Sequence, residues 1–204
     1  MDSKYSVIVF DLGNVLIPFD YNIVIKKLDE TDPGLGKRFY DVYMKNYGVY
    51  KKYERWQLSD RQFLDKMMEW TEGKIGREEF CKIYGNIFSV NQKVADLLPK
   101  LKENFTLVLL SNTCNIHQKY GWEKYTFLEI FDKWILSHEV GAVKPEEKIY
   151  KAVENFTGKP ANEHFFIDDI LEYVNAAKNN GWGGTQFFGY EQLIDSLQKE
   201  RILP

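Results

Sequence analysis

The chain has 204 residues, 44% hydrophobic and 28% charged, with a formal net charge of −3. That is enough chain for a buried core, as one domain or as a domain carrying an insertion, and the mild acidity gives no electrostatic reason to expect nucleic acid or an anionic membrane as partner. Cys81 and Cys114 lie far apart without a CxxC spacing, which sets aside disulfide frameworks and zinc sites; no secretory leader pattern or bilayer-length apolar run is visible, so a cytoplasmic location is expected.

The first apolar run, Tyr5–Phe10, reads as a buried strand that delivers Asp11 into a tight turn beside Gly13. From about Tyr21 to Phe88 the strand signal disappears. Ser59-Asp60 marks a helix start before Phe63, Leu64, Met67 and Met68, and Gly76 precedes a helical stretch over Arg77–Phe88. This gap is far longer than an ordinary connection and predicts an inserted helical subdomain. Inside it, Phe39, Tyr40, Tyr43, Tyr47, Tyr50 and Tyr53 recur at helical steps. Their spacing predicts the packed face of a small bundle, with one or two ring edges available to line a pocket.

Beyond the insertion, Asn91–Glu103 carries Val94, Leu97, Leu98 and Leu101 at helical spacing. Strands are predicted at Phe105–Leu110, Trp134–Leu136, Phe165–Ile167 and Thr185–Phe188, with helices over Glu146–Phe156 and Leu171–Asn180, the last ending at Gly181. Strands alternating with helices predict an α/β fold: a Rossmann-like parallel sheet flanked by helices, with an inserted α-helical cap. The expected division is residues 1–18 and 89–204 for the core and 19–88 for the cap.

Four polar stations follow predicted strands: Asp11, then Ser111-Asn112-Thr113, then Lys144-Pro145, then Asp168-Asp169. In an open parallel sheet that edge is where ligands bind. Any one station is an ordinary turn; the ordered set is not. Three converging carboxylates repel one another unless a lysine and a divalent cation balance them. Hard oxygen ligands suit Mg²⁺. A phosphoryl group held there, beside a free carboxylate oxygen, invites in-line attack and an aspartyl-phosphate intermediate.

The segments "FDLGNVL", "LLSNT", "EVGAVKP" and "FIDD" resemble, in order and spacing, the four motifs of the haloacid dehalogenase-like (HAD) hydrolase superfamily. The insertion is similar to that family's type-1 cap. More narrowly, "DLGN", "LSNTxxxH" and Asp20 resemble bacterial α-D-glucose-1-phosphate phosphatases. The resemblance implies a Mg²⁺-dependent phosphatase acting on a small phosphorylated metabolite, with sugar phosphates among the candidates. It implies Asp11 as nucleophile and metal ligand, and the Gly13 carbonyl as a second ligand. Ser111 and Asn112 would bind the phosphoryl group, and Lys144 would hold it and offset its charge. Of the acid pair, Asp169 is expected to meet Mg²⁺ directly and Asp168 through water.

The chain departs from the family at several positions. Gly13 stands where most of the family's phosphatases have the Asp that protonates the leaving oxygen, a function worth ~10²–10⁴-fold. One consequence is an expected bias toward substrates with better leaving groups, such as anomeric phosphates. Asp20 is a candidate substitute acid, against its simpler role as a helix cap. Tyr173 occupies the place of an Asn that steadies the acid-pair loop, so that loop must be held another way. Glu54-Arg55-Trp56 stands where relatives tend to have "ERG". Glu54 and Arg55 are candidates to meet substrate hydroxyls or a second anion, against solvated helix-end charges. The dehalogenase branch usually has Tyr at the position of Gly13 and does not need the acid pair retained here. His117, His138 and His164 lack ligand spacing and are expected at the surface or in loops, and Cys114 is expected to be a bystander. The rival to an enzyme is a non-catalytic phosphometabolite-binding or regulatory domain, which Gly13 and Tyr173 favour and the intact Asp11, Ser111, Lys144 and acid pair oppose.

Overall fold

A computed structural model describes residues 3–204. Five strands, β1 (Val7–Phe10), β2 (Thr106–Ser111), β3 (Lys133–Leu136), β4 (His164–Asp168) and β5 (Gly183–Gln186), form one sheet in the order β3-β2-β1-β4-β5. Every pairing is parallel, and Phe10 lies opposite Leu109 on one side and Ile167 on the other. The apolar runs are continuous because both faces are covered. Ile8 and Phe10 pack with Leu107, Leu109, Phe165 and Ile167 on one face, while Val7 and Val9 pack with Val108, Leu110 and Phe166 on the other. From β1 the chain builds outward to β2 and β3, then returns to the other side for β4 and β5. The switch point therefore lies beside β1, at the end that carries Asp11.

Of the seven helices between β1 and β2, the first five make up the insertion: α1 (Asn22–Thr31), α2 (Leu35–Lys45), α3 (Gly48–Glu54), α4 (Asp60–Trp70) and α5 (Arg77–Gly85). Helix α4 starts where predicted: the Ser59 hydroxyl accepts from the Gln62 backbone N–H, and the Gln62 side chain accepts in return from Ser59 N–H. The helices share a hydrophobic cluster of their own around Phe39, Tyr43, Tyr53, Phe63, Phe80 and Tyr84, which reaches the sheet portion at Cys114 and Ile116. The incoming and outgoing segments meet at an antiparallel bridge between Phe19 and Phe88, and Asp20 N–H donates to the Ile87 carbonyl at 3.0 Å.

The remaining helices are α6 (Gln92–Ala95), α7 (Leu98–Lys102), α8 (Asn115–His117), α9 (Ser137–Val140), α10 (Glu147–Thr157), α11 (Leu171–Asn179) and α12 (Tyr190–Lys199). The single helix predicted over Asn91–Glu103 is two, because Pro99 sits in the first turn of α7 and supplies no N–H to continue the ladder from α6. Strand β5 lies two residues before the predicted Thr185–Phe188. Its paired residues open with Gly183 and Gly184, which alone read as a turn. A Cβ on Gly184 would stand 2.7 Å from the Phe166 carbonyl oxygen, and one on Gly183 would stand 2.1 Å from the Tyr5 hydroxyl. Close approach of β4 requires Gly184, and the Tyr5 ring fills the space beside Gly183.

The three histidines are buried, contrary to expectation. His164 begins β4; its ring stacks on Trp182 at 4.8 Å and bonds Thr157 Oγ1 and the Pro160 carbonyl. His117 stacks on Tyr84 at 4.4 Å, and His138 sits against Trp56. Each is packed by aromatic rings far away in sequence, which no local pattern reveals. No helix among the described residues is long and apolar enough to cross a membrane.

Candidate active site

Each station is carried to the same sheet edge by its strand. Asp11 follows β1, and its N–H donates to the Ile167 carbonyl at 2.9 Å, which places its side chain between β2 and β4. Lys144 arrives from beyond β3, through a cis peptide to Pro145. Its Nζ lies 2.6 Å from Asp11 Oδ1, 2.6 Å from Asp168 Oδ2 and 3.2 Å from the Leu110 carbonyl. All three side chains are buried, so this ammonium is the group that makes two buried carboxylates tolerable. Burial by itself would lower the Lys144 pKa, but Asp11 and Asp168 outweigh it and raise it. Burial pushes the Asp11 carboxyl up; Lys144 opposes that shift, and Asp168 adds to it. One lysine is short of neutralising the group.

Asp11, Asp168 and Asp169 bring carboxylate oxygens within 4.8 Å of one another. The donor set fits Mg²⁺: hard oxygens, an excess of negative charge over the one lysine, and lone pairs that remain free. The three acids are not equally placed. Asp168 already uses both oxygens, Oδ2 on Lys144 and Oδ1 accepting from Ile170 N–H at 2.8 Å. Asp169 is partly exposed and accepts from Asn14 Nδ2 through Oδ2 at 3.0 Å. Asp169 therefore offers an oxygen toward the cavity more readily than Asp168 does. The Gly13 carbonyl accepts from Val15 N–H at 2.7 Å, and its second lone pair is available to a cation.

The loops are held by contacts the motifs did not disclose. Asn112 clamps the lysine's backbone from both sides: its Oδ1 accepts from Lys144 N–H at 2.7 Å, and its Nδ2 donates to the Lys144 carbonyl at 3.1 Å. Gln186 Nε2, from β5, donates to the Asp169 carbonyl at 2.8 Å. With Asn14, it takes over the steadying that an Asn at the place of Tyr173 would give. Asn14 has φ +55°, a left-handed conformation Asn tolerates, and this turn aims its amide at Asp169. Tyr173 lays its ring 5.2 Å from Lys144 Nζ. Of these, Asn14 and Asn112 lie within the quoted motifs and Tyr173 marks a departure from them, while Gln186 carries no sequence signal.

A cavity of about 360 Å³ opens over the acids. Its floor comes from the sheet edge, with Asp11, Gly13, Ser111, Asn112, Lys144 and Asp169. Its walls are Phe19, Tyr21, Tyr47, Tyr50, Glu54 and His117. Both readings of the aromatic series hold in part: Phe39, Tyr43, Tyr50 and Tyr53 are buried in the bundle, while Tyr47 and Tyr50 also face the cavity. Glu54 lines it; Arg55 does not, being paired with Glu146 at 2.7 Å. Asp20 is exposed and outside the lining, with Oδ1 accepting from Asn22 N–H at 2.9 Å at the start of α1. Asp20 precedes the N-cap Tyr21 by one residue and holds the first residue of α1 rather than capping it, and the substitute-acid reading does not fit that position. Cys114 is buried, and burial pushes its thiol well up.

A parallel sheet whose carboxyl edge gathers a lysine-paired aspartate, a hydroxyl and an acid pair beneath a helical insertion has the groups to hold a cation and a phosphoryl group beside a carboxylate. No family model matches the chain. A HAD family enzyme from Bacteroides thetaiotaomicron superposes with a TM-score of 0.79 at 26% identity, covering 93% of this chain and 98% of that one. The same enzyme in complex with magnesium and inorganic phosphate superposes at 0.77 with 28% identity, covering 89% and 93%. By sequence the chain is 24% identical to the pyrimidine 5'-nucleotidase YjjG of Escherichia coli, over 88% of this chain and 86% of that protein. It is 23% identical to a D-ribitol-5-phosphate phosphatase of B. thetaiotaomicron, over 86% and 88%. The chain thus shares the fold and the ordered motifs of HAD family enzymes, and the proteins it matches by sequence are a nucleotidase and a phosphatase.

Proposed function

We propose that the protein is a Mg²⁺-dependent phosphatase that hydrolyses a small phosphorylated metabolite through an aspartyl-phosphate on Asp11. The observation that carries this reading is Lys144 Nζ at 2.6 Å from both Asp11 and Asp168, with Asp169 completing the acid cluster at the cavity floor. Lys144 leaves the second oxygen of Asp11 to attack phosphorus, while its charge and the Ser111 hydroxyl meet the phosphoryl oxygens. Asn112 acts mainly by fixing Lys144. Asp11, Asp169 and the Gly13 carbonyl would hold Mg²⁺, and Asp168 would reach it through water; the ion neutralises charge that Lys144 alone does not.

The helical segment 19–88 serves as a cap, hinged where Phe19 and Phe88 pair, and supplies the walls that select the organic part of the substrate. A cavity of about 360 Å³ suits a sugar or polyol phosphate, whose hydroxyls would meet the tyrosine edges. The activities of the nucleotidase and the ribitol-phosphate phosphatase support that substrate class. The test is phosphate release from pentitol, hexose 1- and 6-, and nucleoside monophosphates, with Mg²⁺ and with EDTA. Turnover that requires the metal and disappears in Asp11→Asn is expected. Binding of Mg²⁺ and phosphate without turnover of any ester would make the protein a binding module instead.

A further inference from the structure

The cavity lacks the acid that would normally hang from position 13, and there is little room for one. A Cβ on Gly13 would lie 3.2 Å from the Phe19 ring, so the wall is already filled. An unactivated alkoxide is a poor leaving group, and a proton donor is commonly worth ~10²–10⁴-fold. The other proton-bearing groups on the walls serve badly. The hydroxyls of Tyr21 and Tyr50 are pushed well up by burial, and that of Tyr47 to about 12. The His117 imidazole, stacked and buried, is pushed down to about 3 and carries no ionisable proton to give near neutrality. Besides Asp11 and Asp169, one carboxyl lines the cavity among the described residues: Glu54, at the end of α3.

Helix α3 turns the face of Tyr47, Tyr50, Lys51 and Glu54 into the cavity, a three- and four-residue spacing that aligns them on one side. The end of that helix is fastened to the core. Arg55 pairs with Glu146, and Tyr53 donates to Asp60 Oδ1 while Asn115 donates to Asp60 Oδ2. Because Arg55 is committed to Glu146, Glu54 keeps its carboxyl free of an ion pair among the described residues. We propose that Glu54, reaching in from the cap, is the general acid and base of the reaction and replaces the acid absent at Gly13. The proposal rests on the phosphatase reading above. In the first half-reaction Asp11 oxygen bonds to phosphorus, the P–O bond to the alcohol breaks, and the Glu54 proton goes to the departing oxygen. In the second, Glu54 carboxylate takes a proton from water as its oxygen bonds to phosphorus and the P–O bond to Asp11 breaks. Phosphate leaves, and Glu54 is protonated again.

The protonation state agrees. Burial pushes Glu54 up to about 7, against the opposing pull of Tyr50, Arg55, Lys144 and Lys51; Tyr21, Tyr47, Cys114 and Tyr173 also face it. A carboxyl poised there is protonated often enough to donate and basic enough to accept.

The experiment compares wild type, Glu54→Gln and Glu54→Asp on an alkyl ester, glycerol phosphate, and an aryl ester, nitrophenyl phosphate, with Mg²⁺. E54Q is expected to lose ~10²–10⁴-fold in kcat/KM on the alkyl ester. On the aryl ester it should still release a rapid burst of one nitrophenol per site, because that leaving group needs no proton, and then turn over slowly for want of the base. The decline in alkyl kcat/KM above about pH 7 should vanish in E54Q and return in E54D. An equal loss on both esters carried by KM alone, or an alkyl rate and pH profile left intact, would overturn the proposal. If wild type hydrolyses neither ester, the phosphatase reading fails instead.

Discussion

The floor of the cavity and its walls are built on opposite physical plans. The floor is a charge balance on a rigid sheet: Asp11, Lys144 and Asp168 are buried and locked at 2.6 Å, with Asp11 and Asp168 placed by strand ends and Lys144 by the loop after α9. The walls are largely aromatic surface on a helical bundle whose interior packs ring on ring, as Tyr53 stacks on Phe63 at 4.1 Å. Chemistry common to a family can sit on the floor, where geometry tolerates little change. Substrate choice can sit on the walls, where an aromatic face can be repacked without disturbing the acids.

Substitutions can test this contrast, and the largest effect is expected on the floor. Lys144→Met should destabilise the protein by roughly 3–5 kcal/mol by leaving buried carboxylates unpaired. Because Mg²⁺ then becomes the only counter-charge, thermal unfolding should show a larger stabilisation by added Mg²⁺ in the variant than in wild type. An unchanged Mg²⁺ response would mean that the lysine and the metal do not share the same acids. In the cap, Phe63→Ala removes a fully buried ring and should cost about 3–5 kcal/mol in denaturant unfolding, with no new dependence on Mg²⁺. A Mg²⁺-sensitive loss there would erase the distinction between the two regions.

Glu54 belongs to the cap but faces the floor, and pH separates its two allegiances. Its pKa in the folded protein is raised from 4.5 to about 7, so ionising it in place costs stability. The full stability is present below about pH 4.5 and is lost as pH rises through about 7. E54Q escapes that loss: it should unfold at a higher temperature than wild type above pH 7, with the gap closing toward acid. A gap of constant size across pH would mean that Glu54 is not held protonated by its surroundings. The smallest effect is expected at the cap–core contact. Arg55→Ala should cost about 0.2–1 kcal/mol, because the pair with Glu146 is partly exposed, and a double-mutant cycle with Glu146→Ala would measure it. A coupling of several kcal/mol would make this contact the main fastening of the cap.

The same contrast explains what could be read from the chain alone. Asp11, Ser111 and Asp168 are legible because each ends a continuous apolar run, and parallel topology gathers the ends of such runs at one edge; Lys144, beyond α9, is legible from its place before Pro145 in the third motif. The helical insertion was legible as a long interval without strand signal. What escaped depends on contacts between distant segments. Gly183 and Gly184 look like a turn until the Phe166 carbonyl and the Tyr5 hydroxyl come close enough to demand them. His164 looks like a loop residue until Trp182 stacks on it. Gln186 holds the acid-pair loop from the edge strand, and nothing in its neighbours along the chain marks it. Between Glu54 and Arg55, adjacent and both charged, only the fold decides that one faces the cavity and the other Glu146.

Whether Asp11 carries the phosphoryl group can be tested by acid-quenching the enzyme during turnover of nitrophenyl phosphate with Mg²⁺ and mapping the peptides by mass. E54Q is the better enzyme for this, because slow hydrolysis of the intermediate should let it accumulate. A phosphoryl group on the peptide containing Asp11, absent with EDTA and absent in Asp11→Asn, is the predicted result. Metal-dependent phosphate release with Asp11 never phosphorylated, in wild type or in E54Q, would contradict the account and assign the attack on phosphorus to water.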